Sequence, residues 1–132
     1  MNQNEDAARQ AWETVRAFNR AFATNDVDRY FSFIDPDITV LTPSNPYRVE
    51  GLADDREEFE FSLKLGVTRI GYFQEMQPNV RVVGDAAIVT YFSRGSYGVG
   101  EKAATHYLKE TDVLTRIDGS WRIIHIHVSA AR

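Results

Sequence analysis

The stretch DVLTRIDGSWRIIHIHV, residues 112–128, decides the fold. Two apolar runs flank Asp118-Gly119, and both residues of that pair tolerate positive φ, so the segment predicts a tight antiparallel hairpin. Side chains alternate across a strand, which places Ile124, Ile126 and Val128 on one face and Trp121, Ile123, His125 and His127 on the other. The same period of two runs back through Arg69 to Val83, Ala86 to Tyr97 and Ala103 to Ile117, giving with Trp121 to Val128 a four-stranded meander. Gly84-Asp85 supplies a second turn. Pro78 cannot donate to a ladder, so the first long strand is expected to bend or bulge there and curve the sheet.

Upstream of Gly66 the period lengthens. From Glu5 to Ala23, Ala8, Ala11, Trp12, Val15, Phe18 and Phe22 recur every three or four positions on one helical face. Asn2 and Glu5 have the spacing of a capping box, and Asn25-Asp26 closes this helix and caps a short second one carrying Tyr30, Phe31, Phe33 and Ile34. Pro36 restricts Asp35 to extended geometry, so that helix ends and a strand is expected from Ile38 to Leu41. Thr42 to Pro46 is a loop, Tyr47 to Glu50 a short pairing segment, and Leu52 to Lys64 a third helix with Leu52, Arg56, Phe59 and Leu63 on one face. The whole, residues 1–132, reads as one α+β domain.

Composition narrows the function classes. Apolar residues make up 43% of the 132 and charged residues 26%, enough to bury roughly two thirds of the unfolded surface in one core. The net charge of −4 carries no basic stripe, so neither nucleic acid nor an anionic membrane is an expected partner. No apolar run approaches the ~20 residues of a membrane span, and no basic-then-apolar leader opens the chain. The absence of cysteine excludes disulfides, a thiolate nucleophile and sulfur-held metal, and the cytosol is the expected location.

Asn25-Asp26 to Tyr30, Asp35-Pro36, Thr39, Pro43 and Val49-Glu50-Gly51-Leu52 stand in an order that resembles the association domain of calcium/calmodulin-dependent protein kinase II. Gly84-Asp85, Glu110-Thr111, Asp118-Gly119, Trp121, Ile123 and the ending His125 to Ser129 extend the likeness. The order of elements resembles the nuclear-transport-factor-2-like superfamily as a whole, and the chain is most similar to its free-standing association-domain-like and SnoaL-like members. The resemblance implies a cone-like fold in which three N-terminal helices pack on a curved, mainly antiparallel sheet enclosing a pocket. It also implies a homodimer through the sheet, or a higher ring, and no cofactor. In the kinase association domain, arginines on successive strands line the cavity. Here Arg94 is read as one match, with Asp112 and Val128 where the others would stand.

If Arg94 faces the cavity, alternation brings Ile88, Thr90 and Phe92 with it, and Leu108, Glu110, Asp112 and Leu114 on the neighbouring strand are expected to join them. Two readings follow. In the first, Arg94, Tyr47, Phe92, Phe59 and Tyr72 bind a small apolar or carboxylate-bearing molecule in a homo-oligomeric module. In the second, Asp112 or Glu110 acts as general acid or base with Arg94 orienting a substrate oxygen, in a cofactor-independent isomerase, dehydratase, cyclase or hydrolase. His125 and His127 share a face without a third ligand, so no metal is expected, and the face they share with Trp121 reads as a dimer contact. Gly98 and Gly100 form a hairpin loop, since no helix or lysine follows them as a phosphate cradle requires.

Overall fold

The computed structural model describes residues 3–131, with the backbone alone at 68–72. Asn2, expected to cap the first helix, lies outside the described residues. The chain runs α1 (Gln3–Ala23), α2 (Val27–Ser32), β1 (Ile34–Leu41), β2 (Val49–Glu50), α3 (Leu52–Lys64), β3 (Val67–Val83), β4 (Ala86–Val99), a 3-10 turn (Gly100–Lys102), β5 (Ala104–Ile117) and β6 (Ser120–Ala130). The six strands form one mixed sheet in the order β2-β1-β6-β5-β4-β3, with β1 parallel to β6 and every other pair antiparallel. Helices on one face of such a sheet are the arrangement expected of this α+β chain.

The turn chemistry agrees with the geometry. Asp118 and Gly119 take φ of 53° and 80°, the positive pair that a two-residue hairpin loop requires. Gly98 has a separate reason to be glycine. It takes φ of 141°, and a Cβ there would come within 2.6 Å of Ala103 Cα as the chain doubles back from β4 to β5. Beside Pro78 the β3–β4 register slips between Met76 and Asn79, with Gln77 at φ of 53°, so the bulge falls where the missing proline donor requires it.

α1 lies across the sheet with Ala7, Ala11, Val15 and Phe18 buried against it. Phe18 stacks on Tyr30 at 4.4 Å between ring centres, and Phe59 reaches Tyr30, Phe31 and Phe22, joining α1, α2 and α3 in one aromatic layer. α2 begins at Asp26, whose carboxylate accepts a hydrogen bond from the Arg29 backbone at 3.4 Å. We expect Asp26→Ala to cost about 1 kcal/mol, read as a lower urea midpoint with an unchanged slope.

Two expectations are corrected here. β1 starts at Ile34, not Ile38, and Ile34 belongs to the strand and not to α2. Pro36 is tolerated because β1 loses register with β6 between Ile34 and Thr39, so no ladder bond is asked of its nitrogen. Trp121 and Ile123 do not share a face with His125 and His127. The β5–β6 register shifts between Val113 and Leu114, opposite an extra residue at Ile124, and this turns everything after it over. Trp121 is therefore 6% exposed in the core, with the Arg116 guanidinium 5.0 Å above its ring, and offers little surface for the expected dimer contact.

Candidate functional site

Sheet parity selects the residues beneath the helices. β4 and β5 pair without interruption from Ala86 opposite Thr115 to Tyr97 opposite Ala104. Ala87, Val89, Tyr91 and Ser93 therefore share the inner face with Leu108, Glu110, Asp112 and Leu114, and burial alternates accordingly along β4. Tyr91 stands opposite Glu110, and Val89 opposite Asp112. Glu75 on β3 stands opposite Ser93. Asn19 enters from α1 and is 4% exposed.

These side chains form one hydrogen-bonded cluster around the Tyr91 hydroxyl. Asn19 Nδ2 donates to Tyr91 Oη at 3.0 Å and to Glu75 Oε2 at 3.2 Å. The same hydroxyl lies 3.2 Å from Glu110 Oε1 and 3.1 Å from Asp112 Oδ2. A phenol carries one proton, so it satisfies one ionised carboxylate at a time, and the second contact needs a proton on the carboxyl itself. The cluster therefore holds a proton that isolated carboxyls would have released.

The electrostatics point the same way. Burial pushes Asp112 well above the ordinary carboxylate range, the neighbouring Glu110 charge adds to this, and the bond from Tyr91 opposes it. Burial raises Glu110 to about 7, with Glu75 adding and Ser93 and Tyr91 opposing. Burial and the two carboxyls raise Tyr91 well above 10, so it stays a phenol. Ser93 sits beside Glu110 without a full hydrogen bond. Its hydroxyl, Glu110 Oε2 and Asp112 Oδ1 are all buried without a partner.

The proposed site residues separate. Glu110 and Asp112 are together as expected, but Arg94 lies opposite Tyr107 and Phe92 opposite Lys109, on the outer face of the sheet. The register joins odd positions of β4 to even positions of β5, which turns Arg94 away from Asp112 and corrects the expected pairing. Phe59 is core, 6% exposed. Tyr47 is 58% exposed and its hydroxyl donates to Glu58 at 3.2 Å, so it stands on the α3 surface, away from the cluster. The Tyr72 side chain lies outside the described residues. His125 Nδ1 is 2.7 Å from Thr39 Oγ1. Among the described residues no three metal-binding side chains come together.

Tyr91, Asn19 and Glu75 are the members that sequence reasoning missed. Asn19 carried a signal, because it is a polar residue four positions after Val15 inside the apolar stripe of α1. Among the described residues two hollows are found, and neither is the enclosed pocket that the resemblance implies. A hollow of about 210 Å3 lies on α3 at Glu57, Glu60 and Phe61, and one of about 230 Å3 lies by Met76, Phe92 and Tyr107. The first shares no residue with the cluster and the second only Ser93. No described helix is long and apolar enough to cross a membrane.

Among the described residues, three helices packed on an open six-stranded mixed sheet make the arrangement of the NTF2-like fold. The chain belongs to the SnoaL-like domain family, whose model matches residues 12–132. An NTF2-like protein of Pseudomonas putida KT2440 superposes with a TM-score of 0.81 at 19% identity, over 97% of this chain and 89% of that one. The CaMKII hub homology domain of Chlamydomonas reinhardtii is 26% identical with a TM-score of 0.77, over 96% and 99%. A ketosteroid isomerase-like protein of Erwinia carotovora atroseptica gives 0.80 at 17%, over 100% and 99%. The family thus spans proteins named as hubs and proteins named as isomerase-like.

Proposed function

We propose that this chain is a self-associating, cofactor-independent module in which Glu110 exchanges a proton with a small molecule bound beneath α1. The single observation that carries this reading is the Tyr91 hydroxyl held between Glu110 and Asp112, each of which keeps one buried oxygen unpartnered. A carboxyl raised to about 7 is matched to general acid or base work near neutrality, as Brønsted behaviour favours. Asp112, raised by burial as well, acts as the protonated donor beside it. Arg94 takes no part in this arrangement, since it faces the other way.

Self-association is supported by a different observation. The outer face of the sheet exposes Ile88, Phe92 and Tyr107 at 40%, 41% and 44% among Thr90, Arg94 and Lys109, while the described helices pack on the opposite side. The likeness to a hub domain agrees with that reading. Native mass spectrometry is expected to show a multiple of the 15.1-kDa chain carrying a discrete organic mass, lost in the Glu110→Gln, Asp112→Asn double variant. An empty oligomer indifferent to both substitutions would assign the fold to assembly alone and sink the proton-exchange reading.

A further inference from the structure

We infer that the ligand of the inner cluster is a primary amine bound as its ammonium ion on a short apolar body, and not the carboxylate-bearing molecule that an arginine-lined cavity would take. The inference rests on reading the cluster as the ligand site. Its first support is an inventory of unmet hydrogen bonds. Glu110 Oε2 and Asp112 Oδ1 on the inner face of β5 are buried without a full hydrogen bond, the Ser93 hydroxyl on β4 lies beside Glu110, and Ser93 and Asp112 are 0% exposed. Each can accept a hydrogen bond, and a primary ammonium supplies three donors and no acceptor.

Its second support is charge. The groups that move the two carboxyls are Tyr91, Ser93, Glu75 and each other, and none is basic. From the other elements packed here, β6 offers Ile126 and Val128 opposite Asp112 and Glu110, and α1 offers Asn19. An anion would meet the charge of Glu75 as like charge, whereas a cation that draws a proton from Glu110 or Asp112 would meet its complement. Trp12, half-buried and edge-on to Tyr91 at 5.6 Å, provides the aromatic flank that a cation with an apolar body favours. A metal ion fits less well, since the described carboxyls do not converge on one point and Glu75 joins the cluster through Asn19 Nδ2.

An ammonium favours ionised carboxyls, so binding releases a proton from the cluster and tightens as pH rises from 6 to 8. Phenethylamine, 2-phenylethanol, phenylacetate and trimethylphenethylammonium distinguish the chemistry. Phenethylamine at saturation is expected to raise Tm by roughly 5 °C at pH 8 and less at pH 6. The alcohol and carboxylate should leave Tm unmoved, and the quaternary ion, which has no N–H, should act weakly. Calorimetric binding heats in buffers of different ionisation enthalpy are expected to differ by the released proton. Glu110→Gln should abolish both the phenethylamine shift and the proton release. If phenylacetate or the alcohol stabilises instead, and Glu110→Gln removes that effect, the amine assignment falls while the site stands. If phenethylamine binds but Glu110→Gln changes nothing, or if none of the four binds, both the assignment and the site are overturned.

Discussion

Raising the pH from 5 to 8 is expected to lower the melting temperature of this protein by roughly 10 °C. Most acidic residues act in the opposite direction, because paired carboxylates have depressed values and lose stability on acidification. Glu110 has a folded value raised from 4.5 to about 7, so its neutral form is the one the fold accepts. Its contribution is complete below the unfolded value of 4.5 and is lost as pH rises through about 7. The difference amounts to on the order of 3 kcal/mol. Asp55 adds to the slope: burial first, then Asp54 and Glu58, raise it to about 6, and its Oδ2 has no partner. Asp112 is displaced in the same direction. The exposed pairs Arg9–Glu13 and Arg56–Glu60 add little to stability, since surface ion pairs are screened. Scanning calorimetry at constant ionic strength reads the slope, and Glu110→Gln should remove a large part of it. A melting temperature that is flat or rises between pH 5 and 8 would show that the cluster is ionised in the native state.

The fold was legible because its signals are local. Asp118-Gly119, the switch of period after Gly66 and the stripe of α1 each follow from backbone sterics or burial within a few residues of chain. What was not legible is parity, which depends on pairing between distant segments. β4 offers two alternating sets, Ala87, Val89, Tyr91 and Ser93 against Ile88, Thr90, Phe92 and Arg94, and the second is the bulkier and more apolar in places. Only the register against β5 shows that the first set is inside. The single extra residue at Ile124 does the same to β6, sending Trp121 inward and His125 outward.

The site was half legible for the same reason. Two carboxyls on alternate positions of one strand, Glu110 and Asp112, are visible as an oddity in any β pattern. Their partners are not, because Tyr91 reads as one more strand aromatic and Asn19 lies more than seventy residues away from it on a helix. Arg94 stands where the association-domain resemblance places a cavity arginine, yet a one-position offset in face separates it from the carboxyls. Charge in a sequence marks a site only when the sheet face is known.

Removing the Tyr91 hydroxyl tests the cluster as a unit. Tyr91→Phe keeps the ring, and with it the edge contact to Trp12, but withdraws the group shared by Asn19, Glu110 and Asp112. Because Tyr91 is 3% exposed, water does not replace it freely, and each buried group left unmet costs about 1–3 kcal/mol. We expect a total loss of about 3 kcal/mol, against less than about 0.5 kcal/mol for Tyr107→Phe on the exposed outer face. The pH dependence separates this from a packing defect. The Tyr91 bond lowers the values of both Glu110 and Asp112, so its removal raises both further and widens the range over which their ionisation destabilises the fold. The loss measured by urea unfolding should therefore be larger at pH 8 than at pH 5. An equal loss at both pH values would mean that Tyr91 fills space and does not hold the carboxyls, and the proton-exchange reading would lose its central group.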